Sequence, residues 1–184
     1  LVVLSLDGRK ETHDRMRVAP GGCGSYDVVA PHVRRFVESR APESYFVRGT
    51  YTRANLDFAS DVMHLADIGC ESISVEPVVG GRDASYGIRA SDLDAIGREY
   101  ERLAALFLER HAQGRGFSFY HFNVDLEGGP CLARRLAGCG AGVDYLAVAP
   151  DGNVYPCHQF VGQSEFLMGD VFDGEMDEAL AERF

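Results

Sequence analysis

The chain has 184 residues, with 18 Lys and Arg against 28 Asp and Glu, a formal net charge of −10 and a pI near 5.0. That size fits one ordinary domain or a domain with the start of another, and it excludes a complete large barrel. Hydrophobic residues at 46% and charged residues at 25% exclude a disordered or collagen-like chain, and the acidic surplus argues against nucleic acid or anionic membrane as partner, because phosphate neutralisation needs clustered cations.

No run approaches the ~20 apolar residues of a membrane span, and no charged segment followed by an apolar one opens the chain, so a soluble, unsecreted, cytoplasmic protein is expected. The chain begins on Leu1-Val2-Val3-Leu4 without a Met and stops at Phe184 within a helical pattern, which reads as a fragment. Residues 1 to 6, 44 to 51, 72 to 79 and 117 to 122 are predicted strands, rich in Val, Ile, Tyr and Phe. Helices separate them. Val29, Val33, Phe36 and Val37 share a face of the first, and Phe58, Val62 and Leu65 share one in the second, which Asn55 can cap and Gly69 can end. In the third, Ser91 and Asp94 form a predicted capping box, followed by Leu93, Ile96, Tyr100, Leu103 and Phe107 at helical spacing.

Such alternation predicts an α/β fold with right-handed crossovers and a parallel sheet or barrel. Four strands cannot close a barrel, so an upstream part is expected. After Phe122 the composition shifts to Gly128-Gly129-Pro130, a short basic helix through Arg134 and Arg135, and a Gly-rich stretch to Gly142, which marks a domain boundary. Beyond it, residues 144 to 148 and Val154-Tyr155 flank Pro150-Asp151-Gly152-Asn153, the signature of a β-hairpin.

Five cysteines in a non-secretory chain favour metal or redox chemistry over a disulfide framework. Cys131, Cys139 and Cys157 lie in the loop-rich C-terminal part, where thiolates can converge on a metal. Cys139 and Cys157 are spaced as Cys-x12-Gly-x4-Cys around Gly152, so the returning hairpin strand would carry one thiolate back beside the other. On spacing alone an iron-sulfur cluster, a zinc ion and unligated thiols all remain open. Cys70, beside Gly69, reads as a small buried hydrophobe, and Cys23, between glycines, as an exposed loop thiol.

The Cys139-x12-Gly152-x4-Cys157 spacing resembles the opening of the SPASM extension of radical SAM enzymes, whose pattern is Cys-x9-15-Gly-x4-Cys. The N-terminal half agrees independently. Ser5-Leu6-Asp7-Gly8 with His13-Asp14 and Arg17 resembles the S-x-D-G…H-D-x-x-R signature at the fourth strand of the radical SAM barrel. Residues 47 to 55 and 74 to 78 would then be the fifth strand with its loop and the sixth strand. Val75-Glu76-Pro77-Val78-Val79-Gly80, Gly129-Pro130-Cys131 and residues 155 to 162 look most like the maturases that install thioether bridges in cysteine-rich ribosomal peptides, including those acting on six-cysteines-in-forty-five-residues peptides.

The resemblance implies the C-terminal portion of a partial (β/α) radical SAM barrel over residues 1–125 and the start of a SPASM domain over 126–184. It implies [4Fe-4S] clusters and S-adenosylmethionine (AdoMet) as cofactors, a cysteine-rich precursor peptide as substrate and an electron donor protein. Cys131, Cys139 and Cys157 would ligate a cluster. Ser5 and Arg17 would bond the ribose or methionyl carboxylate of AdoMet, with Asp7 beside them, Arg53 and Asn55 closing on it and Val75 packing on adenine. The family's Cys-x3-Cys-x2-Cys, which binds the AdoMet-cleaving cluster, does not occur in this chain, so the chain alone is expected to be inactive. Forming C–S from C–H and S–H removes two hydrogens, so a deoxyadenosyl radical would take one as an atom and an electron would leave for a neighbouring cluster. Sulfatase-maturing relatives carry an Asp base after the third cysteine. Here that place holds His158, a candidate base. Glu76, in an apolar strand, must face the barrel mouth, pair with an arginine or be protonated. Competing readings are another SPASM enzyme with a different product and a non-catalytic, zinc-containing peptide-binding scaffold.

Overall fold

The structure is a computed structural model that describes residues 2–79, 84–123 and 140–181. These fall in two units, residues 1–123 and 124–184. In the first, strands β1 (Val2–Ser5), β2 (Tyr45–Tyr51), β3 (Ser72–Pro77) and β4 (Ser118–Phe119) form one sheet in that order, every pair parallel. Helices α1 (Lys10–Met16) and α2 (Tyr26–Val37) join β1 to β2. Helix α3 (Phe58–Asp67) joins β2 to β3, and α4 (Leu93–Ala112) joins β3 to β4.

Strand β2 alternates, with Tyr45, Val47, Gly49 and Tyr51 buried and Phe46, Arg48 and Thr50 less so. Its buried set, with Leu6, Ile73, Val75 and Phe119, packs against Val33 and Val37 of α2, Phe58, Val62 and Leu65 of α3 and Leu103 of α4. Parallel sheets normally bury apolar residues on both faces. Here the opposite face carries Arg48, Thr50, Ser74 and Glu76, in the registers Arg48 with Ser74 and Thr50 with Glu76. One face of the sheet is therefore core, and the other is polar along Arg48, Thr50, Ser74 and Glu76.

The second helix pattern holds fully: Phe58, Val62 and Leu65 are each 0% exposed, and Phe58 stacks on Tyr51 at 4.3 Å between ring centres. Gly69 ends this helix as expected, its N–H and that of Cys70 donating to the carbonyls of Ala66 and Leu65 in a Schellman closure. Asn55 is not the cap. Asp57 occupies that place without a side-chain bond, because Asn55 Oδ1 instead accepts from Thr52 N and Oγ1 at 2.7 and 2.8 Å. The Ser91–Asp94 box does not form either. A 3-10 turn, Ala90–Asp92, precedes α4, and Asp92 accepts from Arg89 N at 2.9 Å. That turn leaves Leu93 58% exposed rather than on the core face. The fourth strand is shorter than expected, because Tyr120–Phe122 turns into a 3-10 helix.

In the second unit, β5 (Ala147–Val148) and β6 (Asn153–Tyr155) form the expected antiparallel hairpin, and β7 (Gly169–Asp170), which the sequence reading missed, pairs with β6. Gly152 N donates to Ala149 O at 3.0 Å and Ala149 N to Asn153 O at 2.9 Å, so Pro150 and Asp151 occupy the two central turn positions. Gly152, at φ +95°, follows in the left-handed region, and a Cβ there would stand 2.5 Å from the Phe172 ring. A short helix α5 (Glu178–Ala181) follows, and Val154, Tyr155, Met168 and Leu180 are buried.

Phe58→Ala should lower unfolding stability by about 3–5 kcal/mol, whereas Leu93→Ala should change it by less than about 0.5 kcal/mol, measured by denaturant unfolding followed by circular dichroism.

Candidate functional site

Two carboxylates organise the loops at the C-terminal ends of β1 and β2. Asp7, 3% exposed, accepts from Arg17 Nε at 2.6 Å and Nη2 at 3.1 Å, and its Oδ1 also accepts from Thr50 N at 3.1 Å. One side chain thus ties the loop after β1 to the end of β2. Arg17 is itself 40% exposed at the side chain, so part of its guanidinium faces solvent.

Asp61 of α3, fully buried, accepts from Arg9 N and Nε at 3.0 and 2.8 Å, Thr12 Oγ1 at 3.0 Å and Asn55 Nδ2 at 3.2 Å. Its carboxylate holds the Arg9 guanidinium charged, raising its pKa, with Asp57 adding a second contact at 2.9 Å. Gly8, at φ +128°, lies so close that a Cβ would fall 2.3 Å from that of Asp61. Only glycine fits there. Sequence reasoning missed Asp61, which reads as an ordinary polar position beside Val62; the signal was its Asp type next to an otherwise apolar helical face.

His13, 0% exposed, accepts from Asp7 N at Nδ1 (3.3 Å) and lies 3.0 Å from Ser25 Oγ at Nε2. Ser25 spends its only hydrogen on Arg17 O at 2.6 Å, so His13 carries its proton on Nε2 and is neutral. Burial lowers its pKa.

A cavity of about 220 Å³ opens beside these groups, lined by Asp7, Met16, Arg17, Thr50, Thr52 and Val78. Asp7 and Arg17 are thus brought together. Ser5 is not with them; it is exposed at the free edge of β1, in a groove with Val28, Val29 and Phe36. Val75 is fully buried in the core, and Val78 lines the cavity instead. Arg53 pairs with Asp92 at 3.4 Å, and Asn55 is engaged with Thr52 and Asp61. Glu76 pairs with Arg48 at 2.6 Å and accepts from Ser74 Oγ at 2.9 Å; burial pushes its pKa up, but these bonds outweigh it and hold the carboxyl low.

In the second unit Cys157 is half-buried, and its Sγ accepts from Gln159 N at 3.4 Å. Cys131 and Cys139 lie outside the described residues. Gly142 N donates to Pro156 O at 3.0 Å, tying the segment that follows Cys139 in sequence to the residue before Cys157. His158 is exposed, with Nδ1 2.9 Å from Tyr145 Oη. Cys70 is buried, which pushes its thiol up to about 12, and Cys23 is exposed. Among the described residues no helix is long and apolar enough to cross a membrane.

Because the folded pKa of His13 lies below its ordinary 6.5, the unfolded chain takes up the proton first, and stability falls as pH drops below 6.5. His13→Asn should flatten that slope, measured as unfolding midpoints at about pH 7.5 and about pH 5.5.

Residues 139–183 match the SPASM family, described as an iron-sulfur cluster-binding domain. No curated protein matches the sequence. Among solved structures, native anSMEcpe with bound AdoMet aligns at a TM-score of 0.68 and 18% identity, over 98% of this chain and 50% of that one. Native anSMEcpe with bound AdoMet and Kp18Cys peptide aligns at 0.63 and 17% over the same shares. Its form with Cp18Cys peptide aligns at 0.61 and 17%, over 100% of this chain and 51% of that one. The chain therefore spans about half the length of these structures. Residues 139–183 are thus similar to the SPASM iron-sulfur cluster-binding domain, and the chain shares the α/β fold of about half of anSMEcpe.

Proposed function

We propose that this chain belongs to a peptide-modifying radical SAM enzyme that forms thioether bonds, cysteine sulfur to carbon, in a ribosomally made cysteine-rich peptide. The observation that carries the reading is the buried Asp7–Arg17 fork at the strand ends, in a chain whose C-terminal segment matches an iron-sulfur cluster-binding domain. The cavity beside that fork offers a carboxylate, a partly exposed guanidinium, two Thr residues and the apolar side chains of Met16 and Val78. That donor set suits AdoMet, whose ammonium, carboxylate, ribose hydroxyls and adenine need those partners in turn. When bound, AdoMet and the clusters supply radical initiation and electron transfer.

The chain's own residues hold and orient. Asp7 fixes Arg17, whose free edge binds a carboxylate or ribose hydroxyl, while Thr50, Thr52 and Val78 complete the lining. Cys131, Cys139 and Cys157 supply thiolates to an auxiliary cluster, Cys157 lying just past β6, the strand that returns after the Gly152 turn. His158, held by Tyr145, serves as a proton acceptor beside it. Residues 1–125 form the partial barrel and 126–184 the start of the SPASM domain, with a precursor peptide and an electron donor protein as partners. A different peptide product is the second reading, supported by the peptide-bound anSMEcpe structures.

Changing Cys131, Cys139 and Cys157 together to Ala should remove about one cluster's worth of iron and acid-labile sulfide from the anaerobically reconstituted protein. Unchanged iron, or zinc in its place, would favour the non-catalytic scaffold.

A further inference from the structure

The Asp7–Arg17 fork is tied from the side away from the cavity by two further residues, His13 and Ser25. Arg17 caps the C-terminal end of α1 four positions after His13, and its N–H donates to His13 O at 2.9 Å. Beyond α1 the chain turns back on itself. Val18 and Gly24 pair in an antiparallel bridge, Ala19 N donates to Cys23 O at 2.8 Å, and Tyr26 N donates to Asp14 Oδ1 at 2.8 Å. A Cβ at Gly24 would fall 2.1 Å from the Asp14 carboxyl carbon, so a side chain there would push that carboxylate off Tyr26. The return sets Ser25, eight positions after Arg17, against the Arg17 carbonyl.

The bonds then close into a ring. Asp7 N donates to His13 Nδ1 at 3.3 Å, His13 Nε2–H donates to Ser25 Oγ at 3.0 Å, and Ser25 Oγ donates to Arg17 O at 2.6 Å. The Arg17 guanidinium completes it by donating to the Asp7 carboxylate at 2.6 and 3.1 Å. A backbone N–H can only donate, so geometry alone requires Nδ1 to be bare. Both ring nitrogens of the fully buried His13 are thereby committed to the two residues that form the fork, to Asp7 directly and to Arg17 through Ser25.

A proton on Nδ1 would break this ring. It would oppose the Asp7 N–H and face Asp7 Oδ2, 3.9 Å away, the oxygen that Arg17 Nε now holds. The charged and titratable groups around the imidazole are Asp7 in the loop after β1, Asp14 and Arg17 on α1 and at its end, and Tyr26 of α2. The Tyr26 ring meets that of His13 edge-on at 5.9 Å, and its hydroxyl is bonded to His64 of α3. Burial opposes the imidazolium, as does Arg17, and together they outweigh Asp7 and Asp14.

We propose that His13 and Ser25 are positioning residues of the cofactor site, a neutral bridge that holds Asp7 and Arg17 in the arrangement that binds AdoMet, so that AdoMet binds tightly only while His13 Nδ1 is bare. This rests on the functional reading above. An arginine already fixed before its ligand arrives loses less freedom on binding, and the affinity rises accordingly. The coupling is reciprocal. A ligand that selects the unprotonated imidazole lowers the protonation midpoint of that ring by the same factor that protonation takes from the ligand's affinity.

The test uses the longer parent protein that carries this chain, with its clusters reconstituted and its histidines labelled with nitrogen-15. At about pH 7.5 the His13 resonances should show Nε2 protonated and Nδ1 bare, and the opposite tautomer would overturn the bridge. Saturating AdoMet should lower the His13 protonation midpoint by about one pH unit, the shift that a tenfold difference in affinity produces. An unchanged or raised midpoint with AdoMet bound would overturn the positioning role and leave the cofactor reading standing. Ser25→Ala, with its folding verified by circular dichroism, should weaken AdoMet binding about tenfold at about pH 7.5. Equal affinity in that folded variant would also overturn the role. Absence of AdoMet binding by the unsubstituted protein would overturn the cofactor reading itself, and the bridge's role with it.

Discussion

The burial of two carboxylates at the ends of neighbouring parallel strands is the constraint on which the rest of this unit depends. An ionised carboxylate removed from water is tolerated only when its oxygens are bonded to charged or polar donors. Asp7 meets that requirement with Arg17 and the Thr50 N–H, and Asp61 meets it with Arg9, Thr12 and Asn55. Arg17 and Thr50 line the cavity with Asp7, while Arg9, Thr12 and Asn55 come from the loop after β1, the first turn of α1 and the loop after β2. Asp7 is thus both a group that needs shielding and one that shapes the cavity, and among the described residues no buried side-chain nitrogen or oxygen lacks a partner.

The alternation along β2 and β3 follows from the same economy of burial. Tyr45, Val47, Ile73 and Val75 give the helices an apolar face, whereas Arg48, Ser74 and Glu76 satisfy one another on the other side. A polar face on a parallel sheet is costly unless it is used, because apolar side chains there would bury area at about 25 cal/mol per Å². Its polar groups are paired internally, which leaves the cavity at the strand ends and the strip beside it as the chemically equipped surface of this unit.

Much of this was legible in the sequence where one physical requirement acts alone. Phe58, Val62 and Leu65 recur at helical spacing and all are buried, and Pro150, Asp151 and Gly152 specify their turn locally. Glu76 had to face the barrel mouth, pair with an arginine or be protonated, and it pairs with Arg48. What escaped the reading depends on contacts distant in sequence. Asp61 draws its partners from residues 52 and 49 positions earlier, so nothing in its neighbours marks it as buried. Asn55 and Ser91 have the right type for helix caps, but Thr52 and a preceding 3-10 turn prevail over local preference. β7 has two residues, one of them glycine, and carries no strand signal of its own. Ser5 followed a motif to the right strand, yet its side chain lies at the free edge and not in the cavity with Asp7 and Arg17.

In the proposed function the Asp7–Arg17 fork builds a site for AdoMet. Equilibrium binding of AdoMet to the longer parent protein that carries this chain, with its clusters reconstituted, is to be measured beside an Asp7→Asn variant whose folding is verified by circular dichroism. Saturable binding by the unsubstituted protein is expected, with affinity at least about tenfold weaker in the variant, the loss that roughly 1.4 kcal/mol produces. No binding by the unsubstituted protein, or equal affinity in the two, would contradict it.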